Sequence, residues 1–130
     1  MRLKKGFTIV ELMIVILGVG LAVVLFFLQK LNTDAMNRDE SRKTAINAMY
    51  YALEEGFYAE NGYYPEMISE DVLPMMDPAL FTDPYGMNLG VSGSSYSYEA
   101  ANCEDGKCKE YVLRAKMEKE DTYIKKSRNR

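Results

Sequence analysis

Three patterns of apolar and polar residues follow one another along this 130-residue chain. Phe7 to Leu28 carries Glu11 as its single charge. As a helix at roughly 1.5 Å per residue this stretch is about 33 Å long, which matches a hydrocarbon core of about 30 Å and predicts a membrane-spanning segment. From Leu31 to Asn61 the residues Ala45, Ile46, Ala48, Met49, Ala52, Leu53, Gly56 and Phe57 recur at three- and four-residue spacing, the stripe of an amphipathic helix. No proline interrupts residues 7 to 61, so the two stretches predict a single helix about 80 Å long at about 1.5 Å per residue. Beyond Asn61 the pattern changes to turn residues and short alternating runs.

Where the helix leaves its apolar half, Asp34 and Arg38, and Asp39 and Lys43, stand as acid-to-base pairs four residues apart. In this order each is worth a few tenths of a kcal/mol on a solvated helix face, and contact with a neighbouring molecule is the alternative use of the same charges. "ENGYYPE" ends the helix, with Gly62 as the C-cap and Pro65 unable to continue it. Pro74, Pro78, Pro84, Gly86 and Gly90 describe a long loop from Met67 to Val91 with about one helical turn. Within it "TDPYGMN" is a turn, because Pro84 fixes φ and Gly86 allows φ > 0.

"SYSYEAANCEDGKCKEYVLRAKME" alternates as two strands, Ser95 to Ala101 and Lys109 to Met117, around Asp105-Gly106. A two-residue turn there sets Glu104 opposite Lys107, and Cys103 opposite Cys108 as a non-hydrogen-bonded pair whose closer backbones suit a disulfide. Tyr96, Tyr98 and Tyr111 are then sheet residues that pack on the helix stripe, with an aromatic array for ligands or electrons as the bolder alternative.

Composition narrows the chemistry. There is no histidine and no tryptophan, the two cysteines both follow the apolar segment, and no nucleophile-base pair or phosphate loop is visible. Catalysis is therefore not expected. Arg2, Lys4 and Lys5 precede the apolar run with no acid among them, which keeps the N-terminus cytoplasmic and exports the remainder to an oxidising compartment. The basic stretch runs straight into Gly6 with the apolar run afterwards, so ordinary signal-peptide cleavage does not fit. Asp77, Asp83 and Glu99 could give oxygens to a calcium ion, although no EF-hand pattern is present. At the end, Lys125, Lys126, Arg128 and Arg130 gather without an acid, either as a solvated disordered tail or as a patch for DNA or anionic surfaces.

"KKGFTIVELMIVILGVGL" resembles the start of type IV pilins and of the related type II secretion pseudopilins. The resemblance covers the first third of the chain strongly, and the Asn-Gly-x-Tyr-Pro and Asp-Pro-aromatic-Gly-Asn elements extend it thinly into the rest. It implies that a prepilin peptidase cuts after Gly6, that the new N-terminus Phe7 is N-methylated, and that Thr8 and Glu11 belong to the assembly surface. An intramembrane carboxylate costs about 2.5–3.5 kcal/mol even on the lenient insertion scale, so Glu11 is a functional residue by default. At roughly 1.5 Å per residue it lies about 6 Å along the helix from Phe7, near the interface, where it can neutralise the new amine and the helix dipole of its own or a neighbouring subunit. In one respect the chain departs from many pilins: it has no proline near the end of the apolar run. Gly18 and Gly20 are therefore the candidates for a melted segment in a filament, or else they permit close helix packing.

The resemblance implies an α+β pilin fold, one long N-terminal helix packed on a small antiparallel sheet. In those terms residues 1–6 are a leader, 7–30 the membrane or filament-core half of the helix, 31–61 its amphipathic half, 62–92 the αβ loop, 93–120 the sheet region and 121–130 the basic tail. Removing the leader takes the net charge from −3 to −6. The expected role is a structural subunit of a type IV pilus for adhesion, twitching motility or DNA uptake. Its expected partners are further copies of itself in a helical filament, the prepilin peptidase, the assembly platform and motor ATPases, and the inner membrane before assembly; DNA or surfaces would meet the finished fibre outside the cell. A type II secretion pseudopilin is the alternative, and a membrane-anchored extracytoplasmic binding module a further one.

Overall fold

The computed structural model describes residues 6–128. Helix α1 runs from Ile9 to Tyr51, continues through a π-helical stretch, Ala52–Phe57, and ends in a last α-turn, α2, Tyr58–Asn61. Gly62 closes it as expected, with φ +76° and its N–H donating to Tyr58 O at 2.8 Å. The contacts of the chain divide into two compact units after Asp34. In the first, every described residue from Gly6 to Thr33 is exposed, the whole apolar run included. The helix is long and apolar enough to cross a membrane.

The second unit is an α+β assembly of one helix on a small antiparallel sheet. Its strands are β1 (Tyr64–Pro65), β2 (Tyr96–Glu104), β3 (Lys107–Ala115) and β4 (Tyr123–Lys126). The central β3 pairs with β2 on one side and with β1 and β4 on the other. The helix stripe read from the sequence is the one that packs: Ala45, Ile46, Met49, Ala52 and Leu53 are buried with Tyr96, Tyr111, Leu113 and Ala115. Ile46, Met49, Leu53 and Leu113 each contribute about 1.5–3 kcal/mol when taken from water, and the alanines less.

Both hairpin strands reach closer to the turn than their sequence pattern suggests, and the turn is the expected one, with Asp105 at φ 51° and Gly106 at φ 76°. Glu104 faces Lys107 and Cys103 faces Cys108. The two cysteines form a disulfide with Cα atoms 4.0 Å apart. The expected single helical turn of the loop is the 3-10 helix Pro78–Phe81, capped by Asp77, whose carboxylate accepts from Ala79 N–H.

Two features depart from the sequence reading. Of the expected tail, residues 121–130, the described part is not free: Tyr123 to Lys126 form β4 and lie against Val112 to Ala115. Alternation of Tyr123 and Lys125 with exposed Ile124 and Lys126 was masked by the basic charges around it. The other is the π-stretch, in which Tyr58 N–H reaches back five residues to Leu53 O. It widens the inward face so that Ala52, Leu53 and Glu54 are all buried.

Candidate functional site

The residues singled out at the N-terminus form a helix start. Thr8 is the residue before α1; its Oγ1 accepts from Glu11 N–H at 3.2 Å and its carbonyl from Leu12 N–H at 3.0 Å. Thr-x-x-Glu before an apolar run is the sequence pattern of a capping box, so the start of the helix carries its own local signal. The Glu11 carboxylate is exposed, with no hydrogen bond or ion pair among the described residues. Phe7 is exposed, and Gly6 precedes the helix. Gly18 and Gly20 lie in unbroken α-helix, and a methyl group at either would meet nothing, so within one chain neither glycine serves packing.

The acid-to-base pairs expected of the neck give way to longer-range partners. Asp39 and Arg42 are buried. Arg42 Nη1 donates to Asp39 Oδ1 and to Glu118 Oε2, each at 2.8 Å, and Arg38 grips Glu118 through Nε at 2.7 Å and Nη2 at 2.8 Å. Asp39 in turn accepts from the N–H groups of Glu118 and Lys119 at 2.8 and 2.9 Å. Lys43 pairs with Glu120 at 2.8 Å and Glu40 at 3.5 Å. Tyr85 completes the cluster, its hydroxyl donating to Glu118 Oε1 and its ring 5.5 Å from each of the Arg38 and Arg42 guanidinium carbons. Burial alone would push the Asp39 carboxyl up, but the hydrogen bonds from Glu118, Lys119 and Arg42 outweigh it and hold it below the usual carboxylate range. Arg38, followed by Arg42 and Tyr85, holds Glu118 well below that range. This cluster ties the β3–β4 connection to α1. Its sequence signal is the stripe itself: Ala35, Asp39, Arg42, Ile46, Met49 and Leu53 repeat at alternating spacings of four and three.

A second buried acid, Glu54, lies in the π-stretch. It accepts from Tyr64 OH at 2.9 and 3.0 Å, from Tyr111 OH at 2.9 Å and from Arg128 N–H at 3.1 Å. Burial first, then Glu54, pushes the Tyr111 phenol well above its ordinary value. One carboxylate thereby joins helix, β1, β3 and the segment after β4. Sequence reasoning missed it because an acid inside an amphipathic helix reads as solvated, and its partners are 10 to 74 residues away.

The calcium candidates are spoken for separately. Asp77 caps the 3-10 helix. Asp83 accepts from Tyr85 and Met87 N–H through Oδ1, and from Ser95 N–H through Oδ2 at 2.8 Å; burial opposes its charge, and these N–H groups still hold its carboxyl below the usual range. Glu99 pairs with Arg114 at 2.8 Å. Among the described residues no three His, Cys, Asp or Glu side chains gather to hold a metal.

The basic end is engaged with the helix. Arg128 pairs with Glu55 at 2.7 Å and donates to Tyr50 OH at 2.8 Å, and Lys125 lies 5.3 Å from the Tyr50 ring centre. Lys126 is exposed, and Arg130 lies outside the described residues. Tyr96 and Tyr111 are core residues of the sheet, and the Tyr98 hydroxyl donates to Pro65 O. No family model, curated protein or solved structure matches this chain.

Proposed function

We propose that this protein is a structural subunit that polymerises through its N-terminal helix, a type IV pilin in kind, whose second unit is displayed on the outside of the filament. One observation carries the reading: an apolar run from Phe7 to Leu28, helical from Ile9 and exposed along its whole length in a single chain, with one acid in the first turn of the helix whose carboxylate no described residue occupies. Such a surface is stable only in lipid or against other copies of itself. A buried carboxylate is strongly unfavourable until paired, so Glu11 fixes register between copies when it meets the amine created at Phe7.

In this reading the chain enters the inner membrane with its N-terminus in the cytoplasm, is cut after Gly6, and leaves the membrane on assembly. Glu11→Val is expected to leave cleavage and membrane insertion intact and to abolish surface fibres. Electron microscopy of sheared fibres, with mass spectrometry of their subunit, measures both: N-methylated Phe7 in long fibres supports the reading, and normal fibres from the Glu11→Val chain refute it. Recovery of the chain only in short, envelope-bound filaments would assign it to secretion as a pseudopilin instead.

A further inference from the structure

The sheet has an unclaimed edge. Lys116 N–H donates to Ser95 O at 2.9 Å, so by antiparallel alternation Ser97, Glu99 and Ala101 turn their backbone groups toward β3 and Tyr96, Tyr98 and Ala100 turn theirs outward. Ser94 Oγ takes up the Tyr96 N–H at 3.2 Å. Among the described residues β3 is the only strand beside β2, so the outward groups of Tyr98 and Ala100 have no ladder partner. Asn102, at φ 55°, drops out of the pairing with β3 and ends the regular edge. The usable length is therefore Tyr96 to Ala100, about 17 Å at roughly 3.4 Å per residue.

A groove of about 750 Å³ lies along this edge. Its wall on the core side is apolar: Met67, Ile68, Leu89 and Val91, of which Met67 is 75% and Val91 49% exposed. On the opposite face of the sheet, Arg114 stands across from Ser97, and Lys116 follows the same alternation. Arg114 is paired with Glu99, whereas Lys116 has no ion pair among the described residues, so that face carries a surplus positive charge. A strand added here would point alternate side chains to the apolar wall and to the basic face.

We propose that β2 accepts an extended peptide segment of a partner protein as an added strand over Tyr96 to Ala100, a segment that alternates apolar with acidic side chains. The site lies wholly within the second unit and does not depend on the filament reading. The test uses the full chain in detergent micelles and a capped heptapeptide in which valine alternates with aspartate. Peptide binding is expected to slow amide exchange at Tyr98 and Ala100 about tenfold, the mark of new ladder bonds. N-methylation of the peptide valines, which deletes its ladder donors, should abolish that protection. Lys116→Glu, an exposed change that leaves the core untouched, should weaken the aspartate peptide about threefold and favour a version with lysine in place of aspartate. Unchanged exchange at Tyr98 and Ala100 under excess peptide, or equal protection by the N-methylated peptide, overturns the proposal. Indifference of the wild-type chain to the swap of aspartate for lysine overturns the acidic preference and with it the named partner class.

Discussion

Glu54 shows how a single residue can be both costly and cohesive. Its carboxylate is removed from water and met by two phenols and a backbone N–H. Unmaking such a set leaves several donors buried and unsatisfied, each at about 1–3 kcal/mol. Glu54→Ala should therefore destabilise the second unit by about 3 kcal/mol or more, whereas the exposed Glu66→Ala should change it by less than about 0.5 kcal/mol. Urea unfolding of the full chain in detergent micelles, followed by near-ultraviolet circular dichroism, measures both. Equal midpoints for the two variants would show that the carboxylate is not structurally engaged.

The elements most legible in the sequence are those whose signals are local. The apolar run, the Ala45 to Leu53 stripe, Gly62 as helix stop and the Asp105-Gly106 hairpin each depend on residues within a turn or two of each other. Their faces follow from periodicity and backbone preference alone, while the bounds of the two hairpin strands are shifted toward the turn. Elements fixed by distant partners were hidden. β4 has only four residues, and its hydrogen bonding and packing come from β3 and from Asn47 and Tyr50 on the helix. The π-stretch has no sequence signature of its own. Within it a methyl group at Gly56 would lie 2.7 Å from Met75 Sδ, so the Met75 side chain would have to shift to admit any larger residue. Of the N-terminal site, the residues are legible in the sequence, and the Thr8 cap is written in its Thr-x-x-Glu spacing. At the hairpin, reduction of Cys103–Cys108 should lower stability by about 2 kcal/mol on the loop-entropy argument for so short a ring. Unfolding should stay cooperative, because Tyr64 still pairs with Cys108. A hairpin that loses its amide protection on reduction while the rest keeps it would contradict this.

At the scale of the whole molecule, charge pairing sets the response to pH. Asp39, Asp83 and Glu118 all have carboxyls held below their ordinary range by hydrogen bonds in the folded chain. The unfolded chain thus takes up protons first, so their stabilisation is complete above about pH 4 and is lost as pH falls through the depressed folded values. The phenols act in the opposite sense. Tyr96 is pushed up to about 12, chiefly by burial, so its contribution is complete below the ordinary value near 10 and fades as pH rises toward 12. Urea midpoints should be level from about pH 5 to 9 and fall on both sides. A midpoint that holds at pH 2, or tyrosinate absorbance showing that all ten tyrosines ionise together near pH 10, would sink this account.

The reach of Glu54 to Arg128 also fixes an order of events during biogenesis. The two residues are 74 positions apart, and at about 5–20 residues per second the ribosome needs roughly 4 to 15 s to make that span. Over this interval Tyr64 and then Tyr111 are made while the Arg128 N–H is still missing, so the hydrogen-bond set of the acid stays incomplete. The carboxylate that joins helix, β1 and β3 thus gains its Arg128 contact after its two phenols are already made.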